Sequence, residues 1–193
     1  MQKLSLADIK DTRAYERERE EFRSRIIVMK KRRRVHLGDL LTLTFENTDT
    51  MRFQIQEMAR VERMVTDEQI EHEVETYNQL IPDPGELSGT LFIEIDDKPK
   101  LYAWLPKLVG IQRAVSLRVG DAGAVAAEPL DEERLTREEA TTTVHYLKFP
   151  LTSEEVGAFR QGPVHVVVDH PNYQADVELT DEQRQELAGD LSG

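Results

Sequence analysis

The segment over residues 48–65 constrains the fold most strongly, because it predicts one helix with polar residues set into its apolar stripe. When the sequence is turned at about 100° per residue, the apolar side chains fall on one arc of about 120°. These side chains are Met51, Ile55, Met58, Val61 and Val65. Gln54 and Glu62 fall inside the same arc. We therefore expect both to be buried, and a buried polar group needs a partner.

Two interpretations of Gln54 and Glu62 follow from that expectation. In the first, both side chains hydrogen-bond a neighbouring backbone group or an arginine and fix the packing register of the helix. In the second, a charged Glu62 needs a cation, several donors or a metal, and losing that partner would cost about 3–5 kcal/mol. The sequence leaves both interpretations open.

The composition is typical of a foldable protein of the reducing cytoplasm. The chain has 193 residues, of which 39% are apolar and 32% charged, which suits one domain with a proper core. It contains no cysteine, which excludes disulfides, thiolate zinc sites, the usual iron–sulfur clusters and a cysteine nucleophile. Its beginning lacks the apolar core of a secretory signal, and no apolar run approaches the ~20 residues of a membrane span. We expect a cytoplasmic protein that does not enter a membrane.

Charge is divided unevenly along the chain. Residues 1–34 hold 12 basic and 6 acidic side chains, whereas the remainder holds 13 basic and 31 acidic ones. A basic run closes a predicted helix and consists of Lys30, Lys31, Arg32, Arg33 and Arg34.

This run predicts either a patch for phosphate, nucleic acid or an acidic partner, or cations that stabilise a helix C-terminus. The net charge of −12 and the lack of interleaved aromatic residues argue against nucleic acid. We expect the run to dock onto the chain's own acidic remainder or onto an acidic partner.

Capping boxes and alternating segments predict an α+β fold. We expect long helices over residues 13–31, 48–65 and 66–80, and a charged helix or loop over 131–140. Strands are predicted over residues 40–45, 90–95, 115–119, 141–149 and 164–168. The chain is predicted to form a single domain over residues 1–193, with a helix-rich subregion (1–82) and a strand-rich subregion (88–193). The two would share a mixed, mainly antiparallel sheet packed against several helices.

His145 is the histidine with the most informative surroundings. Because side chains alternate along a strand, His145, Leu147 and Phe149 share one face, and we expect that face to be the core. A buried histidine there is either a core residue with satisfied hydrogen bonds, or a metal ligand or acid–base group.

A second polar group lies where a predicted strand ends. Asp169 and His170 precede Pro171, and Tyr173 follows. The proline fixes a turn, so Asp169, His170 and Tyr173 are candidates for a site at the strand end. The alternative is an Asx-type turn covered by the tyrosine.

Signatures of common enzymes are absent from the sequence. It has no phosphate-binding glycine loop, dinucleotide fingerprint, HExxH or GxSxG motif, so no cofactor is expected. The sharpest catalytic hypothesis is a divalent metal site that joins Glu62 to His145 or His170.

A set of short motifs spans most of the chain, from about residue 14 to residue 173. The most specific ones are Glu46-Asn47, Thr50-Met51, Gln54-Ile55-Gln56-Glu57-Met58 and Arg60-Val61-Glu62-Arg63. Shorter ones are Arg33-Arg34-Val35 with Leu37-Gly38, Tyr77-Asn78 with Leu80-Ile81-Pro82, Val144-His145-Tyr146-Leu147, and Asp169-His170-Pro171 with Tyr173. Together they resemble a bacterial family known as domain of unknown function three thousand five hundred and one. That family often has an arginine where this chain has Thr48, so a role for that arginine does not carry over.

The resemblance implies no established activity. Members of that family are often encoded beside rubrerythrin-like proteins and iron–sulfur oxidoreductases, which implies a redox-protein partner. The first function hypothesis is therefore a cytoplasmic accessory or interaction protein of a redox or oxidative-stress system, with homo-oligomerisation as an option. It would dock through the basic run or the methionine-containing helix. The second hypothesis is a metal-dependent enzyme that uses Glu62 with His145 or His170.

Overall fold

A computed structural model of the chain describes residues 1–130 and 140–191. The helices in those ranges are α1 (Thr12–Arg33), α2 (Thr48–Val61), α3 (Asp67–Asn78), α4 (Lys98–Trp104), α5 (Ser153–Gln161) and α6 (Asp181–Asp190). The strands are β1 (Arg34–Leu37), β2 (Leu41–Phe45), β3 (Glu86–Ile93), β4 (Val115–Val119), β5 (Gly123–Ala126), β6 (Glu128–Leu130), β7 (Val144–Pro150), β8 (Val164–His170) and β9 (Tyr173–Glu178). Except for Ala140, the predicted helix or loop over 131–140 lies outside the described residues.

The predicted α+β class is confirmed, but the strands form two sheets instead of one. The first has the strand order β1-β2-β3-β7-β6 and the second β5-β4-β8-β9. All strand pairs in the described ranges are antiparallel. Strands β5 and β6 belong to different sheets and are separated only by Ala127, which donates to the Val115 carbonyl. This short connection carries the chain from one sheet to the other.

The main core joins apolar side chains of both sheets. On β7 the buried residues are His145, Leu147 and Phe149, as the alternation predicts. On β8 the buried apolar residues are Val164, Val166 and Val168. Together with Leu147 and Phe149 they belong to one apolar cluster that also includes side chains of β2, β3 and β4. Burying one such side chain contributes about 1.5–3 kcal/mol, so this cluster is the main stabilising feature of the fold.

Helices α1, α2 and α3 lie on the other side of the first sheet. Met51 and Ile55 of α2 and Val74 of α3 form a second apolar cluster, against which Tyr146 of β7 packs. Tyr146 alternates with His145 and therefore points to the opposite face of the sheet. Because helices cover that face, β2 is buried along its whole length, whereas its alternating sequence predicts a half-buried strand. No helix within the described ranges is both long and apolar enough to cross a membrane.

Helix α2 ends one turn earlier than its apolar periodicity predicts. It stops at Val61, and Arg63 adopts a left-handed conformation with φ of 53°. The Met64 amide then donates to the Ala59 carbonyl at 2.9 Å, which is the Schellman end of a helix. The stripe is thus cut short, and Val65 is 88% exposed. The expected burial of Glu62 is wrong for the same reason, since Glu62 is the exposed C-cap.

The buried face of α2 is also rotated from the predicted arc. Met51 and Ile55 are buried as expected, but Ala59 and Gln56 complete the buried face, and Gln54 is only half-buried. Helix α2 packs against α1 and α3, and its Met51 and Ile55 belong to the cluster that Tyr146 of the sheet contacts, so these neighbours decide which side is covered.

We predict that Arg63→Gly stabilises the protein. A residue with a Cβ pays about 1 kcal/mol for a left-handed conformation that glycine adopts freely. Urea denaturation should therefore show a free energy of unfolding that is higher by about 0.5–1 kcal/mol. The control is Arg60→Gly inside α2, which should lower it by about 1 kcal/mol. A loss of stability in Arg63→Gly would contradict this description of the helix end.

Candidate functional site

The basic run at the end of α1 is largely occupied within the chain itself. Arg33 is fully buried, with its side chain 0% exposed. Its Nε donates to the Phe45 carbonyl at 3.1 Å, and its Nη2 donates to the Glu46 carbonyl at 3.4 Å and to Asp190. Its Nη1 is 3.2 Å from Glu186. Arg33 thus joins the end of α1, the end of β2 and helix α6.

Helix α6 supplies the acidic side of this contact. Glu182, Glu186 and Asp190 are spaced four residues apart and therefore lie along one side of the helix. Arg32 Nε is 3.0 Å from Glu182, and Arg32 Nη1 is 4.0 Å from Glu186. This arrangement is the predicted docking of the basic run onto the chain's own acidic remainder.

The prediction that all five basic residues form a partner surface is therefore wrong for Arg33. Its guanidinium is enclosed because carbonyls at the end of β2 and carboxylates of α6 need its donors. Arg32 remains half-exposed beside α6. Lys31 and Arg34 are exposed and Lys30 is half-buried.

Burial perturbs the carboxyl group at the centre of this contact. Asp190 is only 8% exposed. Burial raises the pKa of Asp190 to about 7, although the Arg33 guanidinium opposes that shift. Its protonation is therefore coupled to the docking of α6.

An open groove runs along α1 next to α6, and we call it the α1–α6 groove. It has a volume of about 460 Å³ and is lined by Ser24, Arg25, Val28, Met29, Arg32 and Glu186. Val28 is 54% exposed, and the neighbouring Ile27 on the outer face of α1 is 44% exposed. The Arg25 guanidinium lies 5.5 Å from the centroid of the Phe22 ring. The groove therefore combines an apolar floor with guanidinium groups.

The interior of the α1–α2 contact holds polar residues that the sequence did not single out. Glu57 accepts from Tyr15 Oη at 2.6 Å and from Arg19 Nε at 2.7 Å. The bond from Arg19 lowers the pKa of Glu57, whereas burial and Glu57 raise that of Tyr15. Gln56 accepts from the Lys10 amide at 2.8 Å and donates to the Lys10 carbonyl at 3.0 Å. The sequence predicted a backbone partner for Gln54, but Gln56 is the glutamine that bonds the backbone here.

The two polar residues predicted on α2 have different surroundings. Gln54 contacts the Tyr77 hydroxyl, and burial raises the pKa of that phenol. Glu62 is exposed, and its carboxylate makes no hydrogen bond or ion pair within the described chain. Because water solvates the exposed Glu62, its carboxylate needs no cation, donor or metal from the protein.

Glu46 is buried in this structure, whereas Glu62 is not. Glu46 is 3% exposed, and its carboxylate accepts from Thr90 Oγ1 at 2.7 Å. Its Oε2, Thr44 Oγ1 and Ser88 Oγ have no hydrogen-bond partner among the described residues. Glu46 lies directly after β2 on the face that alternation assigned to solvent, so no sequence pattern marked it as buried.

His145 and His170 are both held by named partners. His145 is buried, and its Nε2 lies 2.8 Å from Thr141 Oγ1. His170 Nδ1 accepts from the Asn172 amide at 3.2 Å. Its Nε2 lies 3.0 Å from the Val109 carbonyl. These contacts tie the turn after β8 to the loop at Val109.

Tyr173 ties the same turn to the β1–β2 hairpin. Its hydroxyl donates to the Leu37 carbonyl and accepts from the Leu40 amide at 3.2 Å. Gly38 has φ of 70°, and a Cβ at that position would collide with the Tyr173 hydroxyl. Asp169 is exposed and accepts from Gln174 at 3.2 Å, so it does not face the same partners. His170 and Tyr173 therefore form a structural clip, and the three candidates do not converge on one site.

The proposed Glu62–histidine metal site is wrong for this structure. Glu62 lies exposed at the end of α2, whereas His145 is buried on the same face of β7 as Leu147 and Phe149, and His170 contacts a backbone carbonyl. No group of three or more His, Asp or Glu side chains in the described ranges is arranged to hold a metal ion.

One charged cluster on the second sheet was not foreseen. His165 Nδ1 is 2.7 Å from Asp176, and Arg118 Nη2 is 2.8 Å from the same carboxylate. Arg118 lowers the pKa of Asp176, with a smaller effect from His165. Arg118 and His165 also line a shallow cleft of about 480 Å³. Since Arg118 and His165 are cross-strand neighbours, the cluster is a charge ladder on the outer sheet face.

Comparison with known proteins gives a family but no activity. The family described as Protein of unknown function (DUF3501) matches residues 3–191. No match is found among curated proteins. A solved structure, of a novel protein of unknown function from Burkholderia pseudomallei K96243, is 34% identical and has a TM-score of 0.91. The alignment covers 98% of this chain and 100% of that one.

We predict that Arg33→Met costs about 3–5 kcal/mol of unfolding free energy. The change removes the partner of Asp190 and leaves buried carbonyls without a donor. Chemical denaturation followed by circular dichroism measures the loss. The matched control is Arg32→Met, whose exposed ion pairs should contribute about 1 kcal/mol or less. Equal losses in the two variants would contradict the special position of Arg33.

The raised pKa of Asp190 predicts a pH dependence of stability. Its pKa is about 7 in the folded protein, and an unfolded aspartate titrates near about 3.9. The folded state therefore binds more protons between these values, so this contribution is full below about pH 4 and is lost as pH rises to about 7.

The measurement compares wild type with Asp190→Asn. As the pH rises from about 5 to about 7, the unfolding free energy of wild type should fall steadily relative to that of Asp190→Asn. Asp181→Asn, an exposed change on the same helix, should leave the pH profile parallel to wild type. A wild type–Asp190→Asn difference that stays constant over this range would show that Asp190 does not titrate there.

Proposed function

The chain belongs to the family described as Protein of unknown function (DUF3501), and from that premise we propose that it is a non-catalytic interaction protein. It binds a partner protein through the exposed side of α1 and the α1–α6 groove. The observation that supports this proposal is the pairing of exposed apolar residues with cations on one helix. Ile27 and Val28 are both about half exposed, and Lys31 and Arg25 lie exposed beside them.

Exposed apolar groups rimmed by charge are typical of protein-binding surfaces. Burial of Val28 and Met29 against a partner contributes to affinity. The cations orient the partner and raise the association rate. The chain as a whole carries a net charge of −12, so a local basic surface distinguishes α1 from the rest of the molecule. It favours a partner whose contacting surface is acidic.

The partner's chemistry is part of the proposal. The family resemblance implies a redox protein, and the absence of cysteine means that thiol or iron–sulfur chemistry would be supplied by that partner. We further propose a cytoplasmic location, which the cysteine-free composition supports. Self-association through the same groove is the competing outcome.

We predict that a photo-crosslinking amino acid at position 28 captures an acidic partner protein in cells of the source organism. The same group at position 65, which is also an exposed valine but lies at the end of α2, should not capture it. The captured protein is then purified and mixed with the chain. Its binding should weaken with added salt because the cations of α1 attract it.

Charge and apolar variants identify the surface. Val28→Asp and Lys31→Glu should each weaken binding of the captured partner, whereas Val65→Asp and the exposed Lys100→Glu should not. Capture of a second copy only would replace the proposal with self-association. Equal labelling from positions 28 and 65 would remove α1 as the binding surface.

A further inference from the structure

The shape and charge of the α1–α6 groove identify the kind of element that fits it. Building on the proposed function, we infer that the groove receives an acidic amphipathic helix of the partner. Its carboxylates pair with Arg25 and Arg32, and its apolar residues cover Val28 and Met29.

The spacing of the groove residues is that of a helix face. Arg25 and Arg32 are seven residues apart on α1, which is two turns or about 10 Å. Val28 and Met29 lie between them along the same side of the helix. A partner helix with two carboxylates seven residues apart and apolar residues three and four positions after the first repeats this pattern.

The guanidinium groups have capacity for new partners. Arg25 stacks on Phe22 and forms no ion pair within the part of the chain that the structure describes. Arg32 keeps 49% of its side chain exposed despite its contact with Glu182. Glu186 adds a carboxylate at the α6 edge, but Arg33 and Arg32 lie 3.2 and 4.0 Å from it. The groove therefore attracts carboxylates at both ends of its apolar floor.

Helix α6 shows the same recognition inside the molecule. It is an acidic helix whose carboxylates, spaced by four residues, contact the last turn of α1. The groove lies beside that docked helix and over the preceding turns of α1. A second acidic helix in the groove would extend an arrangement that α1 already makes with α6.

A helix fits this groove better than a membrane or a nucleic acid. The groove follows one side of α1 for two turns, with Glu186 of α6 at its border, whereas a lipid headgroup layer presents a broad surface. Its lining contains no aromatic ring on which a base could stack. Anionic vesicles and single-stranded RNA are therefore the comparison ligands in the test.

The test uses the full chain and a fluorescein-labelled synthetic peptide of about 18 residues, long enough for several helical turns. The peptide has two glutamates seven residues apart and leucines three and four positions after the first. A shuffled peptide of equal composition is the control. Anisotropy should show saturable binding of the patterned peptide and binding of the shuffled one that is weaker by about tenfold or more.

Arg25→Glu and Val28→Asp should each weaken binding of the patterned peptide by about tenfold, and Val65→Asp and Lys100→Glu should leave it unchanged. Far-ultraviolet circular dichroism checks that all variants are folded. Equal binding of both peptides, or no saturable binding, would overturn the inference. So would stronger binding of vesicles or RNA that the same two substitutions abolish.

The two proposals fail separately. If position 28 captures a partner but the patterned peptide does not bind, the interaction function stands and the acidic-helix ligand is wrong. If the peptide binds but position 28 captures no protein in cells, the groove chemistry stands and the proposed function is wrong.

Discussion

The buried guanidinium of Arg33 is the interaction on which the arrangement of the helices depends. It closes α1, caps the carbonyls at the end of β2 and meets two carboxylates of α6. No shorter or acceptor-bearing side chain could serve these elements together, because arginine alone offers five donors in a rigid fork. The position of α6, and with it one wall of the α1–α6 groove, therefore follows from the satisfaction of this single buried charge.

The helices on the second face of the first sheet explain why polar groups are buried on that face. A sheet with one wet face leaves its alternate residues in water, but α1, α2 and α3 enclose this one. Thr42, Thr44 and Glu46 of β2 and its extension are consequently buried where their sequence suits solvent. The buried side chain of Glu46 has only the Thr90 hydroxyl as a partner, so it contributes little to the free energy of unfolding. Most of that free energy therefore comes from the apolar layer between the two sheets.

The sequence predicted features that depend on neighbours along the chain. The capping box at Thr66 begins α3 as expected, because an N-cap is satisfied within one turn. The burial of His145 followed from strand alternation alone. The covered side of α2 did not, since it is set by where α1 and the sheet lie. Likewise, a run of five basic residues contains no local signal that Arg33 is the buried one, because its partners Glu186 and Asp190 are more than 150 residues away.

The division of labour within the groove follows from magnitudes. An exposed ion pair contributes about 0–1 kcal/mol, so pairing with Arg25 and Arg32 cannot by itself hold a partner. Val28 is 54% exposed and Met29 is already half-buried. Covering Val28 therefore contributes about half of the roughly 1.5–3 kcal/mol that belongs to a fully buried side chain, and covering Met29 contributes less. The apolar floor thus contributes at least as much affinity as the ion pairs, while the two guanidinium groups fix the register of the bound helix. Acidic ligands without the apolar stripe would associate with α1 rapidly and also dissociate from it rapidly.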